Sequence, residues 1–538
     1  NRIEGEHSIG KSGIKFDWSG DMINTRRDQP DTRYSLGVRS PKDPEGYYAP
    51  YLGERNGFLG TGTSMFNSQL KEKRYNWAAN ITIPLMVGGE KQKIKAGYAG
   101  TYRDAEFASI GMTYVKDPMA ASNPKFNETD GLPEYQLLGP DYLKPGYLFL
   151  YPTGPNASGG AEGEEYGGIQ RLHAGYIMAD ASFLKKFRFI GGVRLEQNKV
   201  EVSTRTYNME NGYPVDSVVV YDKKNWLPSA NLIYNLTDKM NIRLAYSQTL
   251  SRPDFRERSS FVYYEFKERT TYNGAKALRD ALITNIDLRY EYYISANEII
   301  SVSGFYKKFD SPVELVVGGN PTGQVYYYFN LKSSTAYGAE VDFRKSLGFI
   351  SPQSTFLNNV FVSGNATWMK ANVKYNTKEM LDASNSVGGP QHETLPPDSR
   401  NRPLQGLSPY VYNAGIGYFG KPVGVNLSYN RYGRRIVAGG LYPYADQYEN
   451  PRDVLDLQFS TRLLRNKLEI RLNISDLLQQ PFIIYDNVNK DGIAQDTDDL
   501  RETINDDPKK TGYNADLDYT RYKSFRGSNI SLNLGYTF

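Results

Sequence analysis

Ile530-Ser-Leu-Asn-Leu-Gly-Tyr-Thr-Phe538, the last nine residues of the chain, decide its fold class. Ile530, Leu532, Leu534, Tyr536 and Phe538 fall on one side of a two-residue period, and Ser531, Asn533, Gly535 and Thr537 fall on the other. A strand with this pattern has one apolar and one polar face. Soluble sandwich strands alternate too, but rarely set five large apolar side chains in succession on one face and stop there. In a transmembrane antiparallel β-barrel the apolar side meets lipid, the polar side meets the lumen, and the closing strand comes last.

Composition narrows the alternatives. A chain of 538 residues is too long for one ordinary soluble core. It has no cysteine, which excludes a disulfide scaffold and thiolate metal sites. Three scattered histidines, His7, His173 and His392, give a His-based metal site or triad almost no material. The 64 basic and 60 acidic residues leave a net charge of +4, so no nucleic-acid surface is expected. Mean hydropathy is −0.58 despite 44 tyrosines. There is no apolar run of about eighteen residues, which argues against membrane helices. A barrel hides its membrane signal in alternation, and Tyr suits the interfacial belts. Asn1-Arg-Ile-Glu-Gly-Glu-His7 has no signal-peptide character. The chain is therefore expected to be a mature or truncated segment of something longer.

Alternation recurs along the chain. Ile242, Leu244 and Tyr246 oppose Arg243, Ala245 and Ser247; Ile300, Val302, Gly304 and Tyr306 oppose Ser301 and Ser303. Leu455, Leu457 and Phe459 alternate with Asp456, Gln458 and Ser460, and Leu468, Ile470, Leu472 and Ile474 with Glu469, Arg471 and Asn473. Ionised residues such as Asp456 and Arg471 need water or a partner, which a polar lumen supplies. Connections are of two kinds. Lys185-Lys186, Thr237-Asp-Lys239, Ser295-Ala-Asn297 and Arg465-Asn466 read as short turns. Long connections rich in Gly, Pro, Asn and Tyr cover about 104–167, 250–280, 375–402, 434–450 and 485–523. Short turns at one end and long loops at the other are the asymmetry of an outer-membrane barrel. The count comes to about sixteen strands over 1–538, enough to enclose a lumen.

The candidate binding residues are aromatic and basic. Tyr142, Tyr147 and Tyr151 share one long loop, and Tyr442, Tyr444 and Tyr448 crowd another. Rigid aromatic area beside polar groups suits sugars, peptides or aromatic chelates, and equally an interfacial girdle. For the run Tyr326–Tyr328 the girdle is the favoured reading. Arg252, Arg256 and Arg258 flank Pro253, and Arg434 and Arg435 follow Tyr432. They are placed to attract an anionic ligand, to anchor to lipopolysaccharide, or to pair with lumenal carboxylates, and the structural roles are favoured. Asn487, Asn489, Asp491 and Asp498, with the turn at Gly492, partly match a calcium loop. An Asn at the first place and an Asp at the last weaken that match. Asp498/Asp499 and Asp506/Asp507 have no nucleophile or base nearby, and His173 is the only histidine inside a convincing strand. No catalytic residues are expected, and the chain is not read as an enzyme.

Several segments resemble the barrel of TonB-dependent receptors of the Bacteroidetes type. The most specific is LPSANLIYNL (Leu227–Leu236) followed by NIRLAYSQTLSRPDF (Asn241–Phe255). Others are NIDLRYEYYISANEIISVSGFYKKFDSPVE (Asn285–Glu314), GAEVDFRKSL (Gly338–Leu347), RPLQGLSPYVYNAGIGY (Arg402–Tyr418), YENPRDVLDLQFS (Tyr448–Ser460) and NISDLLQQPFIIYD (Asn473–Asp486). The resemblance implies an outer-membrane location in a Gram-negative bacterium and a barrel of about 22 strands around an N-terminal plug. It also implies active import of a nutrient (oligosaccharide, peptide or metal chelate) driven by TonB. Ile530, Leu532, Leu534, Tyr536 and Phe538 then fit the signal read by the barrel-insertion machinery. A surface lipoprotein lid is a further implied partner. No plug-like or TonB-contact sequence precedes the first strand, so the first strands and the plug are expected upstream of residue 1. The alternatives are a receptor-like scaffold in an outer-membrane complex and a passive porin.

Overall fold

The computed structural model describes residues 1–538 except 11, 36, 39–48, 54–61, 118–131, 144–146, 154–163, 208–213, 260–261, 266–269, 321–322, 377–398, 401, 441–445, 487–512, 516–517 and 538. The main sheet has nineteen strands, of which Leu148–Thr153 and Ser399–Arg400 are short flanking pieces. The other seventeen follow one another in chain order, each antiparallel to the next. They are Arg2–Ile9, Ile14–Tyr34, Ser64–Val87, Glu90–Lys116, Glu164–Phe183, Phe187–Tyr207, Pro214–Thr237, Met240–Ser251, Ala281–Ser295, Glu298–Asp310, Ser333–Ser346, Val360–Lys374, Tyr410–Phe419, Val423–Tyr432, Asp453–Leu463, Leu468–Ser475 and Asn529–Tyr536. This is one more than alternation alone suggests. Arg2–Ile9 is the hardest to see in sequence, because Gly5 and His7 interrupt its apolar row between Ile3 and Ile9.

Register makes the two faces continuous. On one face Leu244 lies opposite Leu288, Leu288 opposite Gly304, Gly304 opposite Ala339, and Ala339 opposite Trp368. Further on, Tyr418, Val425, Phe459, Leu472 and Leu532 form the corresponding row. The alternate positions are polar: Arg289, Ser303, Glu340 and Thr367 follow one another across the same strands. The apolar face is the lipid-facing surface and the polar face the lumenal wall. Leu288, Val302, Ile416 and Leu532 are exposed because lipid, not protein, covers them.

One end is closed by tight turns. Gly88-Gly89 connects two strands with φ of 62° and 81°, a conformation that glycine adopts without strain. Leu184-Lys185 and Leu464-Arg465-Asn466 also turn through positive φ. At the other end the connections are long, and they are not plain loops. Glu90–Lys116 runs twelve residues beyond the expected strand end at 104, and its partner resumes at Glu164. Strands of 24 to 27 residues far exceed the ~9–11 needed to cross a bilayer. Past the membrane, apolar alternation is no longer demanded, so the sequence pattern fades although pairing continues.

Four of the long connections build a second sheet of eight strands. Val262–Glu265 and Thr270–Asn273 come from the first, Val313–Asn320 and Gly323–Asn330 from the second, Arg435–Gly440 and Gln447–Glu449 from the third, Phe482–Asp486 and Tyr519–Ser524 from the fourth. Parallel pairings stitch the first hairpin to the second and the second to the third. The girdle assignment for Tyr326–Tyr328 is thereby corrected. These residues lie in this outer sheet, with Tyr326 and Tyr328 buried, because the chain bends at Leu331-Lys332 before entering the membrane.

The two faces predict opposite responses to charge. Leu288→Arg places a cation against lipid and should destabilise the folded barrel by about 2–4 kcal/mol. Asp287→Asn, one residue away on the lumenal wall, should change stability by less than about 0.5 kcal/mol. Urea unfolding from phospholipid vesicles measures both.

Candidate functional site

The lumenal wall is a lattice of side-chain amides and ion pairs. Asn430 donates to Asn413 at 2.6 Å, and Asn413 donates to Asn365 at 2.7 Å. Gln458 donates to Asn473 at 2.7 Å, and Asn473 to Ser531 at 3.2 Å. Asn76 donates to Asp21 at 2.7 Å and accepts from Thr101 at 2.9 Å. Glu291 lies 3.0 Å from Arg243 and 2.9 Å from Arg289, which also reaches Asp342 at 3.1 Å. Every second residue faces the lumen, so strand pairing alone holds these groups in line. The wall presents fixed donors and acceptors with little freedom to rearrange.

At the outer end a strap lies against the lumenal wall. The strand Met240–Ser251 ends before Arg252-Pro253, where proline has no N–H to continue the ladder. Asp254 then caps the one-turn helix Phe255–Arg258. Its carboxylate accepts from Phe255 N at 2.7 Å, and its own N–H donates to Glu257 at 2.8 Å. The strap folds back across the lumenal wall. Phe255 packs against Ala105, Val200 and Val202. A Cβ at Gly168 would lie 2.3 Å from the Phe255 ring, so this approach requires glycine. Arg103 stacks over Phe255 at 4.4 Å and pairs with Asp254 and Glu72, each at 2.7 Å. Arg258 is buried over the Tyr221 ring at 4.3 Å and pairs with Asp280 at 2.5 Å.

Arg252 lies at the base of this strap. It pairs with Glu196 and lies 3.5 Å from Asp280. Arg435 likewise pairs with Glu449 at 2.6 Å and stacks on Tyr432 at 4.3 Å. At both positions the guanidinium pairs with a carboxylate of the chain itself. Burial pushes the Asp254 carboxyl up, but the Arg103 guanidinium more than offsets this and holds it below the usual range. Burial leaves Glu257 above its usual range.

The outer sheet has its own core of Val316, Phe329, Leu331, Val373 and Tyr375. Between Lys374 and Tyr410 the described residues supply it no strand, and Arg402-Pro-Leu-Gln405 takes that place. Arg402 makes a buried two-armed pair with Glu314 at 2.8 and 3.1 Å. Gln405 accepts from Leu315 N at 2.7 Å and donates to Val437 O at 2.5 Å, bridging two strands. Arg434 stacks over Tyr448 at 4.2 Å, and Tyr448, Tyr485 and Tyr513 adjoin with ring centroids 6.0 and 5.4 Å apart. Sequence reasoning named Arg434 and Tyr448 but missed Tyr485, which is fully buried. The continuous apolar run Phe482-Ile-Ile-Tyr485 is the signal in the sequence for a strand covered on both faces.

Tyr142 and Tyr147 meet edge-on at 6.4 Å, whereas Tyr151 sits on the short strand Leu148–Thr153 beside Phe149. Tyr442, Tyr444, Asn487, Asn489, Asp491, Asp498 and Phe538 lie outside the described residues. Ile530, Leu532, Leu534 and Tyr536 face outward opposite Ile474, Leu472, Ile470 and Leu468. His173 also faces outward, between Trp77 at 6.2 Å and the Tyr98 hydroxyl at 2.6 Å, and has no place in the lumen.

Two tests follow from these contacts. Arg402→Ala strands the buried Glu314 carboxylate and should cost the outer sheet roughly 3–5 kcal/mol. Paired with Glu314→Gln, much of that loss should return; limited proteolysis of the long connections reads both. The depressed Asp254 pKa means that its ion pair with Arg103 contributes fully above the ordinary carboxyl range, about 3.9. That contribution fades as pH falls through the depressed folded value. Glu257, raised by burial, is protonated more readily in the folded strap and so adds no acid loss. Hydrogen-exchange protection at residues 252–259, taken relative to the intrinsic rate at each pH, should fall below about pH 4, and Arg103→Gln should abolish this step.

The chain resembles several solved outer-membrane import proteins. The ferric-catecholate import receptor Fiu of E. coli matches with a TM-score of 0.55 and 11% identity, over 100% of this chain and 62% of its own. The ferric citrate transporter FecA matches at 0.53 with 10% identity, over 90% and 57%. FpvA of P. aeruginosa, solved with bound pyoverdine and iron, matches at 0.53 with 12% identity, over 90% and 52%. The chain thus spans between about half and three fifths of these proteins' lengths. At such identities the likeness concerns the fold. No curated protein matches in sequence. The family model for the TonB dependent receptor-like β-barrel matches residues 10–477. The chain belongs to the TonB-dependent receptor β-barrel family, whose members sit in the outer membrane of Gram-negative bacteria.

Proposed function

We propose that this chain forms the barrel of a receptor that actively imports a nutrient across the outer membrane, with energy delivered through TonB. The observation that carries the reading is the joining of four long connections into one outer sheet at the mouth of a polar lumen. A passive pore gains nothing from a platform tied together by Arg402, Glu314 and Gln405. A receptor gains a preorganised external surface, which lowers the ordering cost of binding. Proteins of similar fold are named for ferric chelates, so a ferric chelate is the first class to test, ahead of oligosaccharides and peptides. The segments quoted for the Bacteroidetes type support that branch of the family, with a surface lipoprotein lid as a partner. Calcium is a further candidate ligand, at Asn487, Asn489, Asp491 and Asp498.

The test is uptake by cells carrying or lacking the full-length gene. Labelled ferric chelates, oligosaccharides and peptides are offered in turn, with and without collapse of the inner-membrane proton gradient. The reading predicts that one class enters only when both gene and gradient are present. Gradient-independent uptake, together with an open conductance in planar bilayers, would identify a porin. Loss of a membrane complex without any uptake defect would identify a scaffold.

A further inference from the structure

The strand Pro214–Thr237 is paired along nearly its whole length on one side and along only its lower part on the other. Toward Phe187–Tyr207 the register runs unbroken from Pro214 opposite Tyr207 to Tyr234 opposite Phe187. Toward Met240–Ser251 it begins only at Ser229, opposite Ser247. Met240–Ser251 itself runs on to Ser251 and then leaves the wall as the strap. The wall therefore steps down at Pro228. On one side stand the tall strands ending at Tyr34, Lys116 and Tyr207; on the other is a notch flanked by the edge of Val215–Leu227.

In an antiparallel strand alternate residues turn both N–H and C=O toward the same neighbour. About half of the backbone groups of Val215–Leu227 thus point into the notch. Among the described residues none of them meets a partner there. The edge spans roughly 40 Å at ~3.3 Å per residue, about twice an ordinary strand. Natural edges of this length are blunted by proline, bulges or charge. Ser217-Val-Val-Val-Tyr221 has none of these, and its register shows no bulge. Val218 and Val220 look outward and are 65% and 58% exposed. Lipid does not cover them: the row through Val220 continues as Glu201, Ile169, Asp104 and Lys73, a charged row above the membrane. The inward face is taken, since Tyr221 lies under Arg258.

Charge at the edge has one sign left over. Asp216 and Asp222 are engaged by Arg205 and Gln197, each at 3.3 Å. Lys223 and Lys224 are exposed and form no ion pair among the described residues. A second copy of the chain does not fit the notch. Barrel strands tilt by about 35–45°, so two copies inserted side by side would cross these edges instead of aligning them.

We propose that the edge Ser217–Asn225 takes an added strand from a partner polypeptide at the cell surface, an extended segment of β-branched residues with acidic residues at its amino end. Antiparallel pairing sets its apolar side chains beside Val218 and Val220 and its carboxylates beside Lys223 and Lys224. The backbone ladder supplies the affinity, and the side chains supply the selectivity. The added strand fills the notch and continues the wall, outside the path of the transported ligand.

The test mixes full-length protein in detergent with a synthetic peptide of alternating valine and threonine that begins with two glutamates. Hydrogen exchange is read residue by residue over 215–227. Without peptide, alternate amides should be protected and the intervening ones should exchange freely. With peptide, the intervening amides should slow by at least about tenfold. A control peptide with proline at alternate positions cannot pair and should have no effect. Val218→Lys/Val220→Lys should weaken binding by at least about tenfold. Val218→Thr/Val220→Thr should preserve it, which separates edge chemistry from folding. Lys223→Glu/Lys224→Glu should weaken it at low salt and much less at high salt. Intervening amides already slow without peptide would mean that the chain itself or a second copy closes the edge. That result, equal binding of the proline control, or unchanged binding by Val218→Lys/Val220→Lys would each overturn the proposal.

Discussion

Everything in this molecule follows from the absence of water in the bilayer core. Backbone N–H and C=O groups there must find partners within the protein, and strands do so only by pairing with other strands. That single requirement fixes the antiparallel order, and the order fixes which residues look outward. From it come the apolar rows through Leu288 and Val302 and the polar rows through Arg289 and Ser303. A shift of one residue would exchange the two faces, so the register is specified at every strand.

Where the constraint lapses, the architecture changes. Beyond the outer boundary, strands continue as far as Lys116 or give way to other structure. At Arg252-Pro253 one strand turns inward and becomes a strap pinned to Arg103, Glu196 and Tyr221, which lie on three strands of the lumenal wall. Elsewhere the connections pair among themselves and bury Arg402 with Glu314. Such a buried pair is weak evidence for stability, but it fixes where the segment after residue 401 docks. The outer end is therefore an ordered body in its own right, and the external surface inherits its positions from the lumenal wall.

The membrane-crossing part was legible because lipid enforces a two-residue period that any reader of Leu468–Ile474 or Ile530–Tyr536 can see. The outer sheet was not. Gly323–Asn330 runs as Gly-Gln-Val-Tyr-Tyr-Tyr-Phe-Asn, with aromatic residues on both faces, since protein packs on both. Consecutive tyrosines looked like a girdle only because the bend at Leu331 leaves no pattern. The fate of Arg252 and Arg435 also escaped sequence, because their partners Glu196 and Glu449 lie 56 and 14 residues away. Proximity of that kind belongs to topology. Gln405 is the sharpest case: an ordinary residue in a Gly/Pro-rich stretch that joins two strands across a gap.

The central claim is that the two faces of these strands meet different solvents. The chain has no cysteine, so single cysteines can be placed at will. Spin labels attached in turn from Ile299 to Lys308, in full-length protein reconstituted into vesicles, report contact with oxygen in lipid and with a water-soluble nickel chelate. The account predicts strict alternation, with Ile300, Val302 and Tyr306 reached by oxygen and Ser301, Ser303 and Lys307 by the chelate. Uniform access to the chelate, or a period other than two, would contradict it.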